Sequence, residues 1–204
     1  MKKILQKEEP VLRKIAKEIP LPKIQTLKIK KVIKEMFLSL ASQDDGVAIA
    51  APQIGYSYRI FIVSGKIFNK NFVLNRENKN SPHLFKSEDF SESERPDPLL
   101  KKEREKKYKD LVFINPQIIK LSKEKEWMPE GCLSVRPLYG KTYRSKKATI
   151  SAYNEEGVKF TRGSSGLLAQ IFQHETDHLN GILFIDHAED IREETLPNDT
   201  PDNT

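Results

Sequence analysis

Between positions 21 and 41 the apolar residues Ile24, Leu27, Val32, Ile33, Met36, Phe37 and Leu40 recur at three- and four-residue spacing. That is the period of a helix with one buried face, and Asp44, Asp45 and Gly46 close it. Three short runs break the helical period: 59–63 (RIFIV), 111–114 (LVFI) and 148–153 (ATISAY). Their β-branched and aromatic content predicts buried strands, the second ended by Asn115 and Pro116 and the third followed by a turn at 154–157. A further helix is predicted from the capping hydroxyls of Ser164 and Ser165, through the stripe Leu167, Leu168, Ile171, Phe172 and Leu179, to a stop at Asn180 and Gly181.

Two segments carry no such pattern. Residues 64–110 contain the stretch SEDFSESERPDPLLKKEREKKYKD, too polar and charged to order itself by burial, and are read as an inserted surface loop, at least partly disordered. Residues 191–204 are polar with two prolines and read as a disordered tail. The expected domain is therefore 1–190, and with 204 residues and 37% hydrophobic content the chain supports one core. No internal repeat is visible.

Composition narrows the setting. The chain has no apolar run long enough to cross a membrane, and its start, MKKILQKEEPVLRK, turns charged too early for a signal peptide; a cytoplasmic protein is expected. The net charge of +6 is spread through stretches that also hold Glu, which describes a solvated surface and implies neither a DNA nor a membrane partner. Cys132 is the single cysteine, so it is inert core, a metal ligand or a nucleophile.

His174, Glu175 and His178 form H-E-x-x-H on the second predicted helix. Residues four apart share a helix face, so both imidazoles reach one cation, with Glu175 beside them to move a proton. A catalytic site of this kind needs a third protein ligand. In metzincin proteases that is a histidine six residues on, where this chain has Phe184; other zincins use a downstream glutamate, for which Glu189, Glu193 and Glu194 are the candidates. Cys132 is the remaining candidate, since a thiolate binds borderline-soft divalent metals well. Ser134 lacks a nucleophile elbow and reads as a turn hydroxyl, while His83 and His187 read as solvent-facing.

The segments Gly46-Val47-Ala48-Ile49-Ala50-Ala51-Pro52-Gln53, Glu130-Gly131-Cys132-Leu133-Ser134 and His174-Glu175-Thr176-Asp177-His178 resemble, in order and spacing, the three signatures of the peptide deformylase family. The likeness extends to the opening KILQKEEPVLRKIAKEI. Ala48 stands where the family usually has glycine, a methyl read as tolerated, and the 64–110 insert is longer than the family leads one to expect.

This resemblance implies an α+β fold with antiparallel strands around a C-terminal helix carrying the H-E-x-x-H residues. It implies that Cys132, His174 and His178 bind one divalent ion, ferrous iron in the cell with zinc, nickel or cobalt as substitutes. Glu175 would take a proton from the attacking water and return it to the leaving amine. Gln53 and the backbone N–H of Leu133 would stabilise the developing oxyanion. Gly46, Val47, Ala48, Glu130, Gly131, Leu167 and Ile171 would line the substrate site, with Met128 near the methionine pocket and Gln170 at its edge. Arg144 and Asp177 would pair behind the ligands. The implied substrates are formyl-methionyl nascent peptides; since these emerge from the ribosome, transient ribosome association is a further hypothesis, with the Lys-rich KKEREKKYK end of the insert as its candidate contact. Two alternatives stay open: an inactive, metal-binding, ribosome-associated homologue, and a zinc protease or other amidohydrolase completed by a downstream glutamate.

Overall fold

Ile60–Val63 is buried at every position, which a strand achieves only with both faces of its sheet covered. In the computed structural model, which describes residues 1–69, 72 and 108–193, the covers are the two predicted helices, α1 (Leu27–Ala41) and α2 (Gly166–Leu179). The strands are β1 (Ala48–Ala50), β2 (Ile60–Val63), β3 (Leu111–Leu121), β4 (Lys125–Gly131), β5 (Leu138–Ser145), β6 (Lys147–Tyr153), β7 (Lys159–Ser165) and β8 (Glu189–Glu193). A five-stranded sheet runs β1-β2-β3-β6-β7, a second runs β4-β5-β8, and every adjacent pair is antiparallel.

Strand periodicity divides the core between the two helices. Ile60, Ile62, Val112 and Ile114 pack with Val32, Ile33, Met36 and Leu40 of α1. Their alternates Phe61, Val63 and Phe113 pack with Leu168, Ile171, Phe172 and Leu179 of α2. Phe113 stacks on Phe61 at 4.6 Å between ring centroids and meets Phe172 edge-on at 5.3 Å.

The end of α2 is held firmly. Its last carbonyls would lack partners, but the Leu179 carbonyl accepts from Ala16 N at 2.9 Å and from Arg59 Nη1 at 3.3 Å, and the same guanidinium nitrogen donates to Asn180 Oδ1 at 3.0 Å. The Arg59 cation also opposes the negative end of the helix dipole.

Several boundaries differ from expectation for physical reasons. Pro20 and Pro22 reduce 21–23 to a 3-10 turn, so α1 begins at Leu27. Ser164 and Ser165 belong to β7, and Ser165 makes no side-chain cap bond. Asn115 and Pro116 do not end β3: Asn115 adopts φ +48° and a register shift falls between Ile114 and Gln117, so the proline sits at an irregularity that asks no ladder N–H of it. The displaced Asn115 amide accepts from Ile19 N at 2.8 Å and donates to Ile19 O at 2.7 Å.

The expected tail, 191–204, begins too early, because β8 pairs Arg192 and Glu193 with Tyr139 and Leu138; residues 194–204 lie outside the described residues. Of the 64–110 insert, Gly65–Phe68 forms a 3-10 turn, while 70–71 and 73–107, including His83 and most of KKEREKKYK, lie outside them. Among the described residues no helix is long and apolar enough to cross a membrane.

Gly181 joins α2 to the segment after it at φ +76°, and a Cβ there would lie 2.7 Å from the Arg13 carbonyl oxygen. Gly181→Ala should therefore cost at least about 1 kcal/mol, read as a lower urea midpoint; an unchanged midpoint would show that the Arg13 backbone yields.

Candidate metal centre

His174 and His178 lie one turn apart on α2, with ring centroids 4.8 Å apart. Cys132 comes from the turn after β4 and places Sγ 3.2 Å from His178 Nε2. Ligand atoms of Cys132, His174 and His178 all lie within 4.8 Å of one another. Three donors from two elements thus converge, the set a tetrahedral cation uses when one position is kept for water. The downstream glutamates do not join them: Glu189 and Glu193 are exposed on β8, and Glu194 lies outside the described residues. Phe184 is buried in an apolar cluster that also contains Cys132.

Behind the ligands stands a buried polar network. His174 Nδ1 lies 2.6 Å from Glu130 Oε1. Arg144 grips the same carboxylate with two bonds, Nη2 to Oε1 at 2.7 Å and Nε to Oε2 at 3.1 Å, while its Nη1 donates to Asp177 Oδ2 at 2.6 Å. Thr142 donates its hydroxyl to Glu130 Oε2. Burial alone would raise the Glu130 pKa, but His174 and Arg144 override it and hold the carboxyl far below the usual range. Burial would likewise lower His174, and the Glu130 charge reverses it. Such a carboxylate fixes the ring so that Nε2 turns toward the site.

His178 and Glu175 have the opposite character. Burial drives the His178 pKa well below its ordinary value, keeping the ring neutral. Burial also pushes Glu175 up to about 7. Among the described residues His178 Nδ1 and Glu175 Oε2 are buried without a hydrogen-bond partner. A neutral imidazole, a thiol and an unpartnered carboxyl in one buried place fit a cation with an attendant water.

Gln53 is anchored through Oε1, which accepts from Ala50 N at 2.8 Å. Its Nε2 is then fixed 3.1 Å from Ser134 Oγ and 3.5 Å from Cys132 Sγ. Ser134, read from sequence as a turn hydroxyl, is fully buried and accepts that amide. The Leu133 carbonyl accepts from Gln6 Nε2 at 3.1 Å. Val47, Ala48, Leu167 and Ile171 share one apolar cluster, and Met128 is buried on β4. Gly46 is packed so closely that a Cβ would lie 3.3 Å from Leu133 Cδ1, and one on Gly131 would strike the Tyr139 ring at 2.4 Å. Gln170 donates to Pro129 O at 2.8 Å.

The family model for polypeptide deformylase matches residues 1–194. The chain belongs to the polypeptide deformylase family. It is 37% identical over 163 residues to a peptide deformylase of Borreliella burgdorferi, covering 80% of this chain and 74% of that protein. Over 186 residues it is 31% identical to peptide deformylase 2 of Clostridium acetobutylicum, with 91% and 94% covered. Among solved structures it resembles the peptide deformylase of Thermotoga maritima, at TM-score 0.68 and 30% identity over 93% of this chain and 98% of that one. It also resembles a Met-Ala-Ser-bound class I type b enzyme of Acinetobacter baumannii, at TM-score 0.67 and 26% identity over 92% and 98%. The reaction of this deformylase is removal of the N-formyl group from nascent peptides.

Sequence reasoning missed two members of the deformylase's network. Gln173 accepts from Ser145 N at 3.0 Å and donates to Ser145 O at 2.9 Å, clasping α2 to the end of β5. Thr142 gave one weak signal, its place two residues before Arg144 on the same strand face. His187, expected to face solvent, is partly exposed with Nε2 3.9 Å from Asp177 Oδ2.

Because Glu175 ionises near 4.5 when unfolded and near 7 when folded, the folded metal-free protein binds the extra proton between those values. Its stability should fall as pH rises through that window, by roughly 3 kcal/mol at about 1.4 kcal/mol per unit. Urea unfolding of chelator-treated wild type and Glu175→Gln from pH 5 to 8 checks this; an equally steep decline in the variant would assign the effect elsewhere.

Proposed function

We propose that Cys132, His174 and His178 hold one divalent cation, ferrous iron in the cell and replaceable by zinc, nickel or cobalt, and that the groups around it hydrolyse the formamide of formyl-methionyl peptides, releasing formate. The convergence of the three ligand atoms beside the unpartnered Glu175 carboxyl carries this reading. When bound, the cation supplies the Lewis acidity that makes water nucleophilic near neutral pH.

Glu175 accepts the proton of the attacking water and returns it to the departing amine, a task suited to a carboxyl whose own proton affinity lies near neutrality. Gln53, held by Ala50, directs Nε2 toward the formyl oxygen, and the backbone N–H of Leu133 is the second donor. Such donors act strongly because they are already oriented and dry. Glu130, Arg144 and Asp177 hold the His174 ring and the helix that bears it.

The methionine side chain packs against Val47, Leu167 and Ile171 with Met128 adjoining, while the peptide backbone runs past Gly46, Ala48, Glu130 and Gly131. The Met-Ala-Ser in the Acinetobacter baumannii relative supports a peptide beginning with methionine. We place this activity in the cytoplasm, in transient contact with the ribosome, and assign it to a domain of residues 1–190 together with the strand that extends to Glu193.

Glu175→Gln should retain stoichiometric iron and lose about 100- to 10,000-fold in kcat, measured anaerobically as formate release from a formyl-Met tripeptide. Gln53→Leu should lose about 100- to 1,000-fold. Cys132→Ser should lose the metal itself by elemental analysis; full metal content in that variant would return the third ligand to a downstream glutamate.

A further inference from the structure

Burial alternates along β4, with Met128 and Glu130 inward and Trp127 and Pro129 outward. On β5, Thr142 and Arg144 face inward, and Lys141 and Tyr143 outward. The register pairs Trp127 with Tyr143, so an aromatic pair stands on the outer face of the three-stranded sheet, away from the side that carries Glu130. The ring centroids are 5.2 Å apart with planes at 42°, and the two residues are 47% and 52% exposed.

A cross-strand aromatic pair stabilises a hairpin without any ligand; its surroundings point further. The β3–β4 and β5–β6 turns are tied together by Ser122 N to Lys147 O at 2.9 Å, Lys147 N to Ser122 Oγ at 3.0 Å and Lys146 N to Glu124 O at 3.0 Å. That tie brings Lys123, Lys125, Lys146 and Lys147 to one rim, with Lys125 Nζ 5.7 Å from the Tyr143 centroid. Glu126 engages Lys146 at 3.4 Å, and lysines still exceed acids along this edge. Flat π surfaces half in water beside a cationic rim complement unpaired bases and their phosphates. A duplex would hide its base faces. A membrane would call for an apolar band around the rings, whereas the neighbours of Trp127 on the same strand face are Lys125 and Pro129.

We propose that the Trp127–Tyr143 face is a docking surface for single-stranded RNA, separate from the metal centre. Stacking holds the bases and the lysine rim holds the phosphates, so binding weakens as salt rises.

Trp127 is the only tryptophan, so stacking reports directly as fluorescence quenching when the iron-loaded full chain is titrated with a twelve-nucleotide oligouridine. The expected result is saturable quenching. Anisotropy of the labelled oligouridine should show affinity falling about tenfold or more in Trp127→Leu/Tyr143→Leu, which keeps the apolar cross-strand contact, and in Lys123→Glu/Lys147→Glu. Formate release should stay within about twofold of wild type in both variants, which shows them folded and separates this test from that of the catalytic reading. Absence of quenching at low salt, equal competition by duplex RNA, undiminished affinity in both variants, or binding to phosphatidylglycerol vesicles in place of RNA would each overturn the proposal.

Discussion

Glu130 is a carboxylate placed in the protein interior, and the architecture of the site follows from what is needed to keep it there. An unpaired buried charge costs several kcal/mol, so each oxygen must be occupied. Arg144 takes both, Thr142 and His174 complete the shell, and Arg144 spends its remaining nitrogen on Asp177. These partners come from β5 and α2 and are gathered here around one side chain of β4. Loss of either ionic partner would strand the other, so the position of the helix and the orientation of the His174 ring depend on the same contacts.

Against this satisfied shell stands a deliberately unsatisfied interior. Among the described residues Glu175 Oε2 and His178 Nδ1 have no hydrogen-bond partners, a cost that fits the role proposed for these groups. The surrounding scaffold makes that tolerable. Phe61, Phe113 and Phe172 pack the sheet against one side of α2, the Gln173 amide clasps it to Ser145, and Arg59 and Ala16 secure its last carbonyls. A helix fixed at its C-terminal end, clasped at its middle and packed along one face can hold unpartnered polar groups on the other.

Sequence patterning recovered the elements whose buried positions are apolar: α1, α2, β2, the first half of β3, and β6. It could not recover β4 and β5, because their inward positions include Glu130, Thr142 and Arg144, which break the hydrophobic alternation where they back the His174 ring. Periodicity records burial only when burial is apolar. The candidate site was legible for a different reason, since the H-E-x-x-H spacing and a lone thiol are what coordination chemistry would ask for, and the family resemblance supplied the order of the three segments; the three ligand atoms do converge. Ser134 and Gln173 act through hydrogen bonds that ordinary polar residues could equally make on a surface, and nothing in their spacing distinguished them.

The two departures from the family pattern are absorbed locally. Ala48 pairs with Val63 in the sheet, and its methyl is buried in the cluster that contains Ile171, so the extra carbon adds apolar contact. The insert leaves β2 and rejoins β3 at a closed neck. Gly65 N donates to Asp110 Oδ1 at 2.7 Å, and the Gly65 Cα approaches the Tyr108 carbonyl so closely that a Cβ would lie 2.2 Å from its oxygen. With the ends fixed side by side, added loop length changes the closure entropy only logarithmically. The β2–β3 register runs from Ile60 opposite Ile114 to Val63 opposite Leu111, and Phe68 and Phe72, just past the neck, pack on the apolar cluster that holds Leu167 and Ile171 of α2.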